Sequence, residues 1–450
     1  MSTRTWLCAG FLALMVQAVP STPARAETVA VDAVLLQELQ QIIQRQQEQL
    51  GAQAETIEAL RSRVDQLEQK ATQTETIATE AQSTAEKAID TAEKTSAGRL
   101  PDRVITSGQE KIKLAISGQL NRAVNVADDG EKTRAYFVDN DVSNSRVRFV
   151  GTGRVTQETT LGTTVEVAFS PNNSFDVSQD NEQADDFIDL RKVEGSARND
   201  RYGRLLFGKG SAAADDTAEY DLSLVAGPIM YSGVSDIVGG LEFIDDGDRT
   251  GVSVGDAFFN FDGNRQDRVR YDSPVLEPGV QLAVSAGSDQ RYDAALTWGG
   301  DYGDWTGVDI GDVTTLGALS LQEPNADNVR WRLAGSFSAL HNPTGLSLTL
   351  SGGMDSRNRG DDPYNLYGKL GWDTSIFQFG ATGFGVDYTY GENVSDEGDE
   401  GVSVGLAAVQ LIEGFGTELY AQIRFFDLDR DNANSVDEIV VGTVGTRIKF

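Results

Sequence analysis

Hydrophobic positions recur along this chain with two different periods. From Leu36, apolar residues return every seven positions through Ile43, Leu50, Ile57, Val64, Ala71, Ala78, Ala85 and Ala92. A second core position takes Leu39, Gln46, Gln53, Leu60, Leu67, Thr74, Ala81 and Ala88, the glutamines reading as register-setting polar residues. Residues 27–97 are therefore predicted as an α-helical coiled coil, whose heptad stretch from Leu36 to Ala92 would reach roughly 85 Å at about 1.5 Å per residue. Gly98 and Pro101 break that helix and make 98–110 a linker. From about Lys111 the period becomes two. Ile112, Leu114 and Ile116 form one face against Lys113, Ala115 and Ser117, and Leu419, Ala421, Ile423 and Phe425 another against Tyr420, Gln422 and Arg424. About sixteen such segments are centred near 118, 149, 166, 191, 205, 269, 283, 296, 310, 333, 350, 368, 384, 406, 423 and 444.

The connections between these segments alternate in length. Long or acidic ones span 128–141, 171–186, 210–265, 316–327, 353–362, 391–401 and 427–438, and tight turns such as 157–161, 199–203, 273–279, 341–345 and 413–416 lie between them. Strands with one greasy and one polar face, joined alternately by long loops and short turns, predict an all-β transmembrane barrel of about sixteen antiparallel strands over 111–450. A β-sandwich or solenoid gives no reason for that alternation. The coiled coil precedes it.

The N-terminus and the composition restrict where such a barrel can be. Arg4, the apolar run Trp6 to Val19 and Ala24-Arg25-Ala26 read as a signal peptide over 1–26, carrying the one cysteine, Cys8, away with it. That would exclude disulfides and thiolate chemistry from the mature chain. No later run of eighteen apolar residues offers a helical span. The formal charge of -31 excludes nucleic acid as a partner, because its phosphates would be repelled. The 47 glycines suit half-polar strands.

The chain ends on Thr443-Val444-Gly445-Thr446-Arg447-Ile448-Lys449-Phe450, an alternating strand stopping on an aromatic residue. It resembles the C-terminal signal of Gram-negative outer-membrane barrels, with Thr443, Gly445, Ile448 and Phe450 as the positions read by the barrel-assembly machinery. Other segments extend the likeness: Ser117-Gly118-Gln119-Leu120-Asn121-Arg122, Ser145-Arg146-Val147-Arg148-Phe149, Gly203-Arg204-Leu205-Leu206-Phe207-Gly208-Lys209, Val269-Arg270-Tyr271-Asp272-Ser273-Pro274 and Tyr367-Gly368-Lys369-Leu370-Gly371. In this order they resemble the trimeric Gram-negative general porins, in the type carrying an N-terminal periplasmic coiled coil. The resemblance implies a homotrimer in the cell outer membrane among lipid and lipopolysaccharide, and a water-filled passive channel narrowed by an inward-folded third loop. It does not supply the solute.

That loop is expected near 210–265, with Asp215, Asp216, Glu219 and Asp221 as constriction acids. Strand parity places a basic wall opposite them: Arg146, Arg148, Arg191, Arg204, Lys209, Arg268, Arg270, Arg330, Arg332, Lys369, Arg424 and Arg447. Water in the lumen permits such charges, whereas Arg or Lys facing lipid at midplane costs roughly 2–4 kcal/mol. Acids opposite bases set up a transverse field that selects solutes by size and dipole. Asp427, Asp429, Asp431 and Glu438 match a Ca²⁺-loop spacing, but the strand-like flanks favour an acidic hairpin tip. His341 sits in a turn with no acid-base constellation around it. No nucleophile elbow, phosphate loop or metal quartet points to an enzyme, and no cofactor is expected. The function expected is therefore passive diffusion of small hydrophilic solutes and ions. The alternative is a structural protein whose coiled coil spaces or tethers the membrane to peptidoglycan, or a trimeric adhesin.

Overall fold

The computed structural model describes residues 105–106, 112–184, 188–277, 279–301, 311–431 and 436–450. The expected signal peptide and coiled coil lie outside them. In chain order the strands are β1 (Ile105–Thr106), β2 (Ile112–Asp128), β3 (Thr133–Asp139), β4 (Arg146–Arg154), β5 (Thr159–Phe169), β6 (Ile188–Asn199), β7 (Gly203–Ser211), β8 (Glu242–Asp245), β9 (Asp248–Ser253) and β10 (Arg265–Asp272). They continue with β11 (Val280–Gly287), β12 (Tyr292–Asp301), β13 (Val313–Glu323), β14 (Val329–His341), β15 (Leu346–Arg357), β16 (Tyr364–Phe377), β17 (Gly380–Glu392), β18 (Glu400–Ile412), β19 (Thr417–Asp429) and β20 (Ile439–Lys449).

All but β8 and β9 belong to one antiparallel sheet of eighteen segments. β1 is a two-residue stub on β2, and β3 and β4 continue one another along the same edge of β2, so the described residues form sixteen barrel positions. β20 closes the barrel against β2, from Gln119 opposite Lys449 to Asp128 opposite Val440. The last residue completes the closure: Gly118 N donates to Phe450 O at 2.8 Å and Phe450 N to Gly118 O at 2.9 Å.

Two boundaries differ from the expectation. The segment expected near 310 is β13, and 302–310 lie outside the described residues, so most of the loop expected over 316–327 is strand. Gly317, Ala318 and Ser320 look like loop residues in sequence, yet they are the small residues of a strand whose outward face carries Leu319 and Leu321. The loop expected over 128–141 likewise contains β3, and the strand breaks only after Asp139.

Alternation segregates the two faces as lipid outside requires. Leu350, Leu366, Leu370, Leu406, Leu419 and Val444 stand exposed on the outer surface. The interior is less uniform. Residues 212–264, which include the β8–β9 hairpin, run inside the bore, and an apolar core forms between them and one side of the inner wall. Val225, Ile229, Met230, Val238, Leu241, Phe243 and Phe258 of this inner loop pack with Val138, Tyr420, Phe426, Leu428, Ile439 and Val441 of the wall. Open lumen is thereby displaced toward the side built by β4, β5, β6 and β10.

Candidate functional site

Inward hydroxyls hold the inner loop along its course. Ala213 N donates to Ser285 Oγ (2.9 Å), Tyr220 N to Ser336 Oγ (3.0 Å) and Leu222 N to Ser338 Oγ (3.0 Å). Ser336 Oγ and Ser351 Oγ in turn donate to the carbonyls of Thr217 (2.7 Å) and Ala218 (2.6 Å). These bonds pair backbone groups that the loop would otherwise bury unsatisfied. Farther along, Lys369 Nζ reaches Met230 O at 2.8 Å and Asp221 Oδ2 at 2.5 Å, and Asn125 Nδ2 reaches Ile237 O at 2.7 Å.

Where the loop faces the remaining lumen it leaves a polar cavity of about 350 Å³. Asp215, Asp216, Glu219, Asp236 and Asp262 line it from the loop, with Asp141 from the break between β3 and β4. Arg146 and Arg148 on β4, Arg191 and Lys192 on β6 and Arg265 on β10 line it from the wall. Glu166, fully buried, ties three of these bases together: Arg191 Nε lies 2.8 Å from it, Arg146 Nη1 3.8 Å, and Arg148 closest of all. Arg265 Nε stands 3.9 Å from Asp215.

The loop acids crowd one another. Carboxylate oxygens of Asp215, Asp216 and Asp262 lie within 4.8 Å of one another, close enough in principle to hold a cation. Asp262 already accepts the amides of Asp216 (2.7 Å) and Ala218 (2.8 Å), and Arg265 stands beside Asp215, so loop capping and a guanidinium account for the group. Burial and the charges of Asp215 and Asp216 push Asp262 up to about 8. Burial and Asp141 push Asp236 up to about 8 as well.

A family model described as Gram-negative porin matches residues 81–431. The chain belongs to that family. It is an outer-membrane channel protein for passive diffusion. Among solved structures, the anion-selective porin from Comamonas acidovorans aligns at 12% identity over 76% of this chain and 100% of that one, with a TM-score of 0.52. OmpT, an outer membrane protein of Vibrio cholerae, aligns at 13% over 77% and 100%, with a TM-score of 0.51. At such identities the likeness is one of fold. No curated protein matches the chain.

The porin's expected site residues fall into four groups. Asp215, Asp216, Glu219, Arg146, Arg148 and Arg191 meet at the cavity just described. Asp221 and Arg447 line a second cavity of about 590 Å³ with Asp373, Glu418 and Lys449. A third group is inward but pinned away from the lumen: Arg268 on Glu194 (2.5 Å), Arg270 on Asp272 (2.7 Å), Arg332 on Asp355 (2.6 Å) and Arg424 on Asp387 (2.5 Å). Lys369 and Arg424 are buried beneath the inner loop, which corrects their assignment to a water-lined wall. Arg204 keeps the inward parity, next to the turn at 200–202. The fourth group leaves the wall. Lys209 shares the outward face with Leu205 and Phe207 and stands 3.8 Å from Asp189, and Arg330 is exposed at a β-bulge between Val329 and Trp331.

At the C-terminus, Ile448 and Phe450 face outward, Thr443 faces inward and donates to Asn125 Oδ1 (2.8 Å), and Gly445 makes room for the Tyr420 ring. Of the four acids with Ca²⁺-loop spacing, Asp427 and Asp429 lie on the outward face of extended β19, and residues 432–435 between Asp431 and Glu438 lie outside the described residues. His341 closes the turn after β14, its Nδ1 2.7 Å from Thr344 Oγ1.

Sequence reasoning missed Glu166, Lys192, Arg265, Asp236, Asp262, Asp141 and Tyr231. Lys192 escaped because a register shift opposite Glu166 and Val167 turns two consecutive residues inward, which strict parity forbids. Asp262 and Asp236 sit far along the loop from Asp215, and only folding joins them.

Proposed function

We propose that this porin passes small hydrophilic solutes and ions through a charged constriction, between the acids of the inner loop and the bases of β4, β6 and β10. The observation that carries this reading is the opposition of Asp215, Asp216, Glu219, Asp236 and Asp262 to Arg146, Arg148, Arg191, Lys192 and Arg265 across one cavity. Such a field orients dipolar solutes and penalises apolar ones, which cannot replace the ordered water. Acid exceeds base overall, which favours mild cation preference; the anion selectivity in the name of the Comamonas protein belongs to that protein. Purified protein in planar bilayers should give stepwise conductance, and its absence sinks the reading. Neutralising Asp215, Asp216, Glu219 and Asp221 together should move the reversal potential in a salt gradient toward anions. An unchanged potential rejects these acids as the selective element.

The heptad register over 36–92 supports a periplasmic coiled-coil stalk but permits more than one oligomer state; the porin that follows it favours a homotrimer, and the reach of the stalk alone prompts the alternative role as spacer toward peptidoglycan. Cross-linking of the intact protein tests the trimer and retention on isolated sacculi the spacer; monomers only, or no stalk-dependent retention, discards the respective claim. The outward Ile448 and Phe450 fit a signal for the assembly machinery and contact with lipid and lipopolysaccharide. Deleting Phe450 without loss of folded barrel in the membrane would remove that role.

A further inference from the structure

The N-terminal end of β2 runs past the point where the barrel closes. β20 pairs with β2 from Asp128 down to Gln119, and Phe450 takes Gly118 in a pair that exchanges both backbone hydrogen bonds. Beyond Gly118, β4 still covers one edge of β2, as far as Gly153 opposite Ile112. The edge that β20 vacates has a single partner among the described residues, the stub β1, with Ile105 opposite Leu114 and Thr106 opposite Lys113. β1 and β20 therefore lie in line along one edge, both antiparallel to β2. Between them stand Ala115, Ile116 and Ser117, which no described strand meets on that side.

In an antiparallel ladder, successive residues turn their N–H and C=O to opposite edges. Gly118 gives both of its groups to Phe450, so Ile116 and Leu114 face the same edge, while Ser117 and Ala115 face β4. Leu114 meets Ile105. The edge groups of Ile116 have no described strand beside them, and a bare edge is a template for a further strand. Running the β1 register backwards along the sequence sets Val104 opposite Ala115, Arg103 opposite Ile116 and Asp102 opposite Ser117. The next residue, Pro101, then falls opposite Gly118. A proline has no N–H to give, and Gly118 is the one place on this edge whose groups are already taken.

Residues 101–104 lie outside the described residues. We propose that this segment adds to β2 as the continuation of β1, filling the edge up to the C-terminal residue of the same chain. The occupant belongs to the same chain because β1 is joined to β2 by residues 107–111 alone, a hairpin connection that fixes the register. The two ends of the barrel sequence thus abut on one strand. Residues 98–100 are all that separates the stalk expected over 27–97 from Pro101, a span of about 14 Å when extended. A stalk so attached leaves the barrel beside its closing seam, and tension on it loads the β1–β2 ladder in shear. That consequence rests on the stalk reading above; the docking of 101–104 does not.

Paired cysteines in the full-length porin test the register. The only cysteine of the sequence, Cys8, lies in the expected signal peptide. Val104→Cys with Ala115→Cys, and Asp102→Cys with Ser117→Cys, each place two thiols at a non-hydrogen-bonded pair, where Cα atoms about 4.5 Å apart suit a disulfide. Arg103→Cys with Ala115→Cys is out of register and points to opposite faces. After mild oxidation in the membrane, mass mapping of unreduced peptides should find the in-register links at least about tenfold above the shifted one. Equal yields, or no in-register link, overturn the proposal. Links between chains, seen as dimers, overturn it in favour of a neighbouring copy's linker.

Exchange of the Ile116 amide gives a second readout that needs no thiols. Arg103→Pro puts a ring where the edge needs a donor and should speed that exchange by about tenfold or more, whereas Val104→Pro, whose N–H faces away from β2, should leave it unchanged. The Ser117 amide, turned toward β4, should be unaffected by either. An Ile116 amide as fast in the unsubstituted porin as in Arg103→Pro overturns the docking and leaves both the diffusion and the stalk readings standing.

Discussion

At Gly385 an added Cβ would come within 2.8 Å of both Met230 Sδ and Val225 Cγ2 of the inner loop, and at Gly353 within 2.4 Å of Phe261 Cβ. These glycines lie on the inner wall, and their lack of a side chain lets the loop press against the sheet. Gly385→Val should therefore push the loop outward at a cost of about 1–3 kcal/mol, the usual range for overpacking a well-filled site. Hydrogen exchange across 225–238 should accelerate, and single-channel conductance should shift. Gly442 is the control: the nearest atom to an added Cβ there is a carbonyl oxygen 4.0 Å away, so Gly442→Ala should change neither quantity. Unaltered exchange in Gly385→Val would show that the loop does not depend on this contact. The abundance of glycine is plain in the sequence, where it suits half-wet strands. That several inner glycines serve the loop cannot be read from it, because the loop residues they meet lie ninety or more positions away.

At the scale of elements, period two located nearly every barrel strand, since a wall between lipid and water imposes alternation along each. It failed where the backbone departs from strict pleating. The register shift by Arg191 put Lys192 into the lumen unseen, and the bulge at Arg330 took an expected wall base to the rim. Lys209 departs from the expected wall for another reason: it shares the outward parity that Leu205 and Phe207 set. The serines of β14 carry no distinguishing mark in the sequence, because a hydroxyl on an inner face looks like ordinary lumen polarity. Ser336 and Ser338 instead accept the amides of Tyr220 and Leu222, and Ser336 also donates to Thr217 O. Replacing both with alanine should cost roughly 0.5–1.5 kcal/mol for each bond lost, and more if the freed amides stay buried. Exchange of the Tyr220 and Leu222 amides is the direct readout, expected to rise about tenfold or more for a loss of about 1.4 kcal/mol. No acceleration would mean that the loop is held by its apolar core alone.

For the whole molecule, the decisive departure from a simple water-filled tube is the core inside it. Val138, Phe426, Leu428, Ile439 and Val441 face inward and are buried by the inner loop. A trace of this was present in the sequence: Ile439-Val440-Val441 and Phe425-Phe426 are apolar on both faces, which a strand between lipid and open water has no reason to be. The loop acids, too, were visible as a cluster after Lys209, whereas the partners that complete the constriction come from β5, β6, β10 and the far end of the loop. Loop and wall thus form one folded unit, and the channel is what that packing leaves open. Removing residues 217–262 and closing the gap with a short glycine-serine link should then have two coupled effects. Conductance should rise several-fold, because the material that narrows the bore is gone. Stability should fall, because each large apolar side chain returned to water forfeits about 1.5–3 kcal/mol and five on the wall lose their cover. A variant that conducts more without melting earlier would contradict the buried core. One that melts earlier while conducting no more would place the restriction outside the loop, on the β4 to β6 wall whose arginines converge on Glu166.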